Sequence, residues 1–110
     1  MAKIGIGTWA GKLNIRIARG EVKFTISEDE NGDYKIKVDL PGALKTAKIN
    51  FLELKEEPDG KTISGAGTIS ILPGRKIDGA FTFDGDTFVG NIKAPVVGRI
   101  QITDGHRVDL

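Results

Sequence analysis

Apolar and polar residues alternate with a period of two along most of the chain, and no other feature of the sequence constrains the fold as strongly. In residues 8–17, for example, Trp9, Leu13 and Ile15 share one parity, whereas Lys12 falls on the other. Successive side chains of a β-strand point to opposite faces. Each alternating segment is therefore predicted to be a strand with one face in a core and the other in solvent.

The alternating segments are separated by short sequences that favour turns, such as Arg19-Gly20, Asn31-Gly32 and Pro41-Gly42. Residues 43–46 fit either a helical turn or a loop, and no structure is predicted for residues 103–110. This division predicts strands at residues 8–17, 22–26, 34–40, 47–55, 62–71, 77–83, 87–94 and 96–102.

One seven-residue sequence occurs in two near copies, Asp59-Gly60-Lys61-Thr62-Ile63-Ser64-Gly65 and Asp84-Gly85-Asp86-Thr87-Phe88-Val89-Gly90. Its Asp-Gly pair favours a turn, its threonine favours the start of a strand, and the apolar residue that follows is predicted to enter the core. Lys61 in one copy corresponds to Asp86 in the other, so this position is predicted to face solvent. The repeat therefore indicates architecture and not a metal or catalytic site.

Glycine recurs on the apolar parity, where a flat sheet would need bulky side chains. Interior glycines permit the sharp coiling of a small barrel and make room for large residues opposite. The sequence therefore predicts one all-β domain over residues 1–110, a single antiparallel up-and-down β-barrel of about eight strands, with a two-sheet β-sandwich as the alternative. The glycines concerned are Gly11, Gly65, Gly67, Gly79, Gly90 and Gly98.

Residues 47–55 break the alternation. Ile49 and Phe51 have one parity, but Leu52 and Leu54 have the other. One extra residue near Phe51-Leu52, which is a β-bulge, would direct both pairs inward. The alternative is an apolar outer patch at Leu52 and Leu54 that docks a partner.

Composition excludes several kinds of site. The chain has no cysteine and one histidine, so disulfides, thiolate metal sites and multi-histidine sites cannot form within it. The formal net charge is +1 with basic and acidic residues interleaved, so nucleic acid is not an expected partner. No membrane partner is expected either. No segment is apolar enough for a membrane span or a signal-peptide core, and a cytoplasmic location is the expectation unless a leader has been removed.

The residue types needed for catalysis are not assembled in the sequence. His106 lies in the C-terminal segment, and the carboxylates fall in turns or on outward parities, except that the direction of Glu53 depends on the bulge. No catalytic residue, metal site or cofactor is therefore predicted. An enzyme that encloses a reactive apolar substrate, of the cyclase or isomerase type, needs no such groups and is the alternative function.

The interior of the barrel is the first candidate for a binding site, because a small barrel is either filled by side chains or holds one small ligand. A filled core is one expectation, and a pocket for a small apolar ligand is the other. The expected function is a non-catalytic binding or accessory module, for such a ligand or for a protein partner. The predicted lining of a pocket is Trp9, Phe24, Tyr34, Phe51, Phe81, Phe83 and Phe88.

Three apolar residues on outward parities favour a protein partner. They are Ala80, Val89 and Val97, and they belong to neighbouring predicted strands. Isolated exposed apolar residues are normal, whereas several on adjacent strands suggest a contact. A homodimer or a heteromeric enzyme partner is the expectation.

Two stretches of the chain resemble small bacterial lipocalin-like (calycin-type) barrels. Gly7-Thr8-Trp9-Ala10-Gly11 is similar to the G-T-W-x-G sequence that opens such domains, and residues 84–98 with Gly105-His106-Arg107 are similar to their closing pattern. Here the P-x-G part of that pattern is lengthened to Pro95-Val96-Val97-Gly98. The resemblance implies a barrel domain of this type, which occurs alone or attached to hydrolases and other enzymes, and it implies no catalytic residue.

Overall fold

The chain forms eight β-strands and one short helix in a computed structural model that describes residues 3–15, 18–71, 74–95 and 97–108. A single 3-10 turn, Gly42–Leu44, lies between the third and fourth strands. The strands are β1 Gly7–Ile15, β2 Ala18–Glu28, β3 Tyr34–Asp39, β4 Ile49–Glu56, β5 Thr62–Ile69, β6 Lys76–Asp84, β7 Thr87–Ala94 and β8 Gly98–Arg107.

All eight strands belong to one sheet with the order β3-β2-β1-β8-β7-β6-β5-β4, and every neighbouring pair is antiparallel. Pairing of β1 with β8 joins the first strand to the last, so the meander curls into a nearly closed barrel. The predicted eight-stranded antiparallel fold is confirmed, and the two-sheet alternative is wrong. β3 and β4 are the two edges of the sheet, and we call the gap between them the seam.

Because the strands run alternately up and down, successive connections lie at opposite ends of the barrel. The turns β2–β3, β4–β5 and β6–β7 lie at one end, together with the start of β1 and the end of β8. We call it the closed end, because residues 3–6 and an aromatic cluster fill it. The connections β1–β2, β3–β4, β5–β6 and β7–β8 lie at the other end, which we call the open end.

The aromatic cluster is the most deeply buried part of the core. Trp9 is fully buried, and its ring centroid lies 4.8 Å from that of Phe83 and 5.9 Å from that of Phe88. Phe24 packs against Phe88 with a centroid distance of 5.1 Å, in an edge-to-face arrangement. The Trp9 indole N–H donates to the Gly5 carbonyl at 2.9 Å, so the one polar atom of the ring is satisfied.

Two predicted strand boundaries and one predicted inward position are wrong. Arg19 and Gly20 lie inside β2 and not in a turn, because the ladder continues to the Ile15–Ala18 pair. β8 extends to Arg107, since residues of the expected tail pair with β1. Gly98 faces solvent with φ +90° at the start of β8, although it was expected inside. Ile17 and Val96, both assigned to strands from the sequence, lie outside the described residues.

The predicted bulge in β4 is confirmed, but it directs fewer side chains into the interior than expected. Phe51 pairs with Gly67 and Glu53 pairs with the preceding Ala66, so Leu52 is the extra residue. The bulge lets Phe51 and Leu54 both line the interior although their parities differ. Leu52 itself is 57% exposed, so its predicted inward position is wrong.

The two copies of the repeat build similar corners at the closed end. Gly60 and Gly85 have φ of +74° and +61°, a backbone conformation that glycine adopts without strain. The threonines that follow begin β5 and β7, and the next apolar residue of each copy is buried. The turn, the strand start and the buried apolar residue predicted for each copy are therefore confirmed.

Candidate ligand-binding cavity

The open half of the barrel contains a cavity of about 220 Å³. The strands contribute inward aliphatic side chains to its wall, and the aromatic cluster forms its floor through Phe24, Phe81 and Phe83. Typical wall residues are Leu13, Val22, Val38, Ile69, Ile77 and Ile100. The barrel is therefore filled at its closed end and hollow towards its open end.

The distribution of side-chain size along the chain explains why the cavity lies where it does. The large rings of Trp9 and Phe88 belong to strand segments near the closed end. In the open half, Gly65 of β5 pairs with Gly79 of β6, so this part of the wall has no side chains to fill the interior. A Cβ at Gly65 would lie 2.5 Å from the Glu53 carbonyl oxygen, which shows how closely β4 packs there.

The cavity wall is almost entirely apolar. Ser64, Thr68 and Asp78 are the polar residues among those that line it. The Ser64 hydroxyl is already engaged, since it donates to the Glu57 carboxylate at 2.5 Å. Asp78 is exposed and lies opposite Lys93 in the ladder between β6 and β7. The wall therefore offers burial to a guest molecule and few polar contacts.

Residues that line the cavity are exposed at two places. At the open end, the lining residue Ile71 is 43% exposed, while Leu44 from the 3-10 turn is buried and covers part of the rim. At the seam, Val38 of β3 and Leu54 of β4 line the cavity from opposite edges, and the neighbouring Phe51 is 39% exposed. The open end and the seam are therefore the candidate routes for a small molecule into the interior.

Tyr34 fastens the seam near the closed end. Its hydroxyl accepts a hydrogen bond of 2.8 Å from the Ile4 backbone N–H and also contacts the Glu56 carboxylate across the seam. Burial raises the pKa of the Tyr34 phenol, the Ile4 hydrogen bond opposes this, and the nearby Glu56 carboxylate raises it further. The Lys3 ammonium lies over the ring at 4.7 Å from its centroid.

The seven residues predicted to line a pocket divide into three groups. Phe24, Phe51, Phe81 and Phe83 line the cavity. Trp9 and Phe88 are buried in the aromatic cluster below it, and Tyr34 fastens the seam. Sequence reasoning concentrated on aromatic residues and missed the aliphatic residues that form most of the wall. The alternation along β1, β2, β5, β6 and β8 already places these aliphatic residues on the inward face, so they were predictable from the sequence.

The titratable groups considered from the sequence do not meet in the cavity. Glu53 is exposed, and the His106 imidazole is exposed with Nδ1 3.0 Å from the Asp104 carbonyl oxygen. In the part of the chain that the structure describes, no three His, Cys, Asp or Glu side chains are grouped to hold a metal ion. Within those same residues there is also no helix with the length and apolar character needed to traverse a bilayer.

The outer face of β6, β7 and β8 differs from the expected apolar patch. A shallow depression of about 410 Å³ is lined there by Ala80 and by polar residues that include Asn91 and Gln101, which hydrogen-bond to each other at 3.1 Å. Val89 is 44% exposed, as its parity predicted. Val97 instead lines the interior cavity, so its assignment to the outer face is wrong.

Comparison of the chain with known protein families, with curated proteins and with solved structures finds no match.

Proposed function

We propose that the protein is a binding module that holds one small, uncharged apolar molecule inside the barrel. The observation that supports this most is the 220 Å³ cavity, whose wall is apolar except for Ser64, Thr68 and Asp78. Cores of folded proteins are packed to the density of organic crystals, and a module with a purely structural role has no need of such a space. The volume is therefore the feature to be explained by function.

The size of the cavity limits the ligand. An engineered apolar cavity of about 150 Å³ stays dry and binds benzene. A cavity of about 220 Å³ with two candidate routes to solvent accepts a somewhat larger guest, of the size of naphthalene or a short alkyl chain. The driving force is removal of apolar surface from water, at about 25 cal/mol per Å².

The enclosing-enzyme alternative is less well supported. Acid–base catalysis needs a titratable group within hydrogen-bond reach of the substrate. Glu53 is exposed, the Tyr34 hydroxyl is engaged at the seam, and Asp78 lies at an exposed position opposite Lys93. A binding module needs none of these groups inside, which is why we prefer it.

The lipocalin-like resemblance is compatible with the same proposal. The tryptophan of Gly7-Thr8-Trp9-Ala10-Gly11 and the arginine of Gly105-His106-Arg107 meet at the closed end, where the guanidinium lies 4.3 Å from the centroid of the indole ring. The two motifs that support the resemblance thus form one contact. We include membership of a lipocalin-like group, with an internal ligand, in the proposal.

Binding of naphthalene provides the first test, measured as a thermal shift and by equilibrium titration in the absence of lipid. A ligand that binds only the folded state raises the melting temperature with concentration. A series of straight-chain alcohols should show an affinity that rises about fourfold per methylene and levels off once the cavity is filled. Absence of both effects would contradict the proposal and favour a barrel whose interior is not accessible.

A matched pair of variants on β7 tests the location. Ile92 lines the cavity, whereas Val89 is exposed on the outer face of the same strand. Ile92→Trp should place an indole in the cavity and reduce naphthalene affinity at least tenfold, while Val89→Trp should leave it unchanged. Equal affinities in the two variants, with both folded by circular dichroism, would place binding elsewhere.

A further inference from the structure

The charged residues of this protein are sorted between the two ends of the barrel, although they are interleaved along the sequence. Six exposed basic side chains lie in or beside the described connections of the open end. The amino-acid sequence of the four connections at this end, residues 16–17, 40–48, 70–75 and 95–97, contains no Asp or Glu. The six are Arg19, Lys45, Lys48, Arg75, Lys76 and Arg99, and we call them the basic rim.

The closed end has the opposite character. Its three turns, each taken with one flanking strand residue on either side, contain nine carboxylates and one lysine, Lys61. Four further basic residues adjoin these turns or lie at the chain termini of this end: Lys3, Lys35, Lys55 and Arg107. The carboxylates are Glu28, Asp29, Glu30, Asp33, Glu56, Glu57, Asp59, Asp84 and Asp86. The turns of the two ends therefore differ in sign along the barrel axis while the net charge of the protein is only +1.

The acidic residues nearest to the basic rim lie opposite lysines in the ladders. Asp39 pairs with Lys23 in the register of β2 and β3, and Asp78 pairs with Lys93 in that of β6 and β7. Opposite charges directly across a ladder attract each other. These two carboxylates therefore balance the charge of the strand lysines opposite them, and they do not neutralise the basic rim.

The basic rim surrounds an apolar opening. Ile71, in the connection that also contains Arg75, is 43% exposed and lines the cavity. An exposed aliphatic side chain, Ile71, with Lys and Arg around it matches the layered chemistry of a bilayer surface, with anionic headgroups above acyl chains. A surface for single-stranded nucleic acid would instead favour stacking aromatic residues, and the aliphatic Ile71 offers none.

We propose that the open end of the barrel docks on the surface of an anionic lipid bilayer. The basic rim meets the headgroups, Ile71 reaches the boundary of the acyl chains, and the acidic closed end is repelled so that the barrel stands with its opening towards the lipid. Docking does not depend on whether the cavity holds a ligand. If it does hold one, the docked orientation lets an apolar molecule pass between bilayer and barrel without crossing water.

Sedimentation with lipid vesicles tests the proposal on the intact chain. Vesicles of phosphatidylcholine mixed with phosphatidylglycerol should bind the protein, and vesicles of phosphatidylcholine alone should bind it much more weakly. Each basic residue near an anionic surface contributes roughly fivefold to the partition coefficient. Raising the salt concentration to about 1 M, where the Debye length is about 3 Å, should release most of the bound protein.

Two double charge reversals with the same net charge locate the surface. Arg75→Glu with Lys76→Glu alters the basic rim, whereas Lys35→Glu with Lys61→Glu alters exposed positions near the closed end. The first should weaken vesicle binding by more than about twentyfold and the second by no more than a few-fold. Ile71→Ser should weaken it severalfold without changing its salt dependence. Thermal melts of the wild type and of the three variants establish that each is folded.

Three results would overturn the proposal. Equal binding to neutral and anionic vesicles would show that charge is not the determinant. An equal loss in the two double variants would show that net charge, and not the open end, is responsible. Tighter binding to a DNA duplex than to anionic vesicles, lost in the same rim variant, would make this surface a nucleic-acid site. Naphthalene binding is measured without lipid, so none of these three results contradicts the proposed binding of a ligand in the cavity.

Discussion

The guanidinium of Arg107 lies over the indole of Trp9, with 4.3 Å between the Arg107 Cζ atom and the ring centroid. The same guanidinium donates to the Ile6 carbonyl at 2.9 Å and pairs with the Asp86 carboxylate at 3.0 Å. Residues at the two ends of the chain and a turn between β6 and β7 are thus joined at one arginine. This contact covers the aromatic cluster at the closed end.

Replacing Arg107 should destabilise the barrel. Arg107→Ala removes the cation–π contact and leaves the Ile6 carbonyl without this donor, so we expect the free energy of unfolding to fall by about 2 kcal/mol. Because Trp9 is the single tryptophan, its fluorescence in denaturant titrations reports the change directly. Asp86→Asn is the control, and it should lose less than about 1 kcal/mol since Asp86 is 65% exposed. Equal losses would mean that the ion pair, and not the contact with Trp9, holds Arg107.

Substitutions at two adjacent residues of β7 should differ sharply in effect. Gly90 is buried, and a Cβ there would lie 2.7 Å from Cε1 of Phe81. Gly90→Val therefore forces the ring or the strand to move, and we expect a loss of about 3 kcal/mol or more. Val89→Gly removes an exposed side chain and should lose no more than about 1 kcal/mol. Thermal melts compare the two, and equal stability would mean that Gly90 does not face the crowded interior.

Local features of the sequence were sufficient to predict the strands, because side-chain alternation is a property of each strand by itself. The bulge at Leu52 was predictable for the same reason, since it breaks the alternation. Arg19-Gly20 was misread because Arg-Gly suits a turn, whereas pairing with Asn14 and Leu13 keeps both residues in the ladder. The residues next to a position in the sequence do not determine which distant residue it pairs with.

Features that depend on distant parts of the chain could not be predicted. The Lys12 N–H donates to the Asp104 carboxylate across 92 positions of sequence, and β8 continues past residue 103 because His106 and Arg107 pair with Ala10 and Trp9 of β1. The charge polarity was missed for a related reason. An up-and-down meander sends successive turns to opposite ends, so a sequence with alternating acidic and basic turns looks neutral along the chain and becomes polarised only when folded.

The candidate cavity was only partly predictable, because its existence depends on a volume and not on a pattern. The inward parity of Phe24 and Phe81 was readable from the sequence, and both line the cavity. Whether the side chains opposite them fill the interior depends on the curvature of the sheet. The pairing of Gly65 with Gly79 decides the question in this barrel, and it is known only from the register of β5 and β6.

Stability in acid should depend on Asp59, which caps the turn before β5. Its carboxylate accepts hydrogen bonds from the Thr62 hydroxyl at 2.6 Å and from the Lys61 N–H at 2.9 Å, and these hold the pKa of Asp59 below its ordinary value of 3.8. A lowered pKa stabilises the folded state above the unfolded-state value, and this contribution disappears as the pH falls through the folded-state value.

Asp59→Asn should therefore lower the melting temperature at neutral pH, and its difference from the wild type should shrink below pH 3.8. Asp84→Asn is the matched control in the other copy of the repeat, because there the Thr87 hydroxyl donates to the Asp84 backbone carbonyl at 2.9 Å. That substitution should leave the melting temperature nearly unchanged. A constant difference for Asp59→Asn down to pH 2 would show that the capping bonds do not need the charge.

The seam should weaken in alkali through Tyr34. Burial raises its pKa above 10.0, with a further rise from the Glu56 carboxylate, so the folded state holds the phenolic proton more tightly than the unfolded chain. This contribution is complete below pH 10.0 and is lost as the pH rises through the folded-state pKa. Tyr34→Phe, which removes the acceptor of the Ile4 N–H, should cost about 1 kcal/mol at neutral pH and lose less stability in alkali than the wild type.

Tyr34 is the only tyrosine, so the ultraviolet absorbance of its phenolate measures its pKa without interference from another tyrosine. We expect a midpoint above 10.0 in the folded protein, a smaller rise in Glu56→Gln, and an ordinary value in denaturant. Glu56→Gln should not abolish the rise, because burial is its largest cause. A midpoint at the ordinary value in the folded wild type would mean that the Tyr34 hydroxyl is solvated and that the two edges of the sheet are not fastened there.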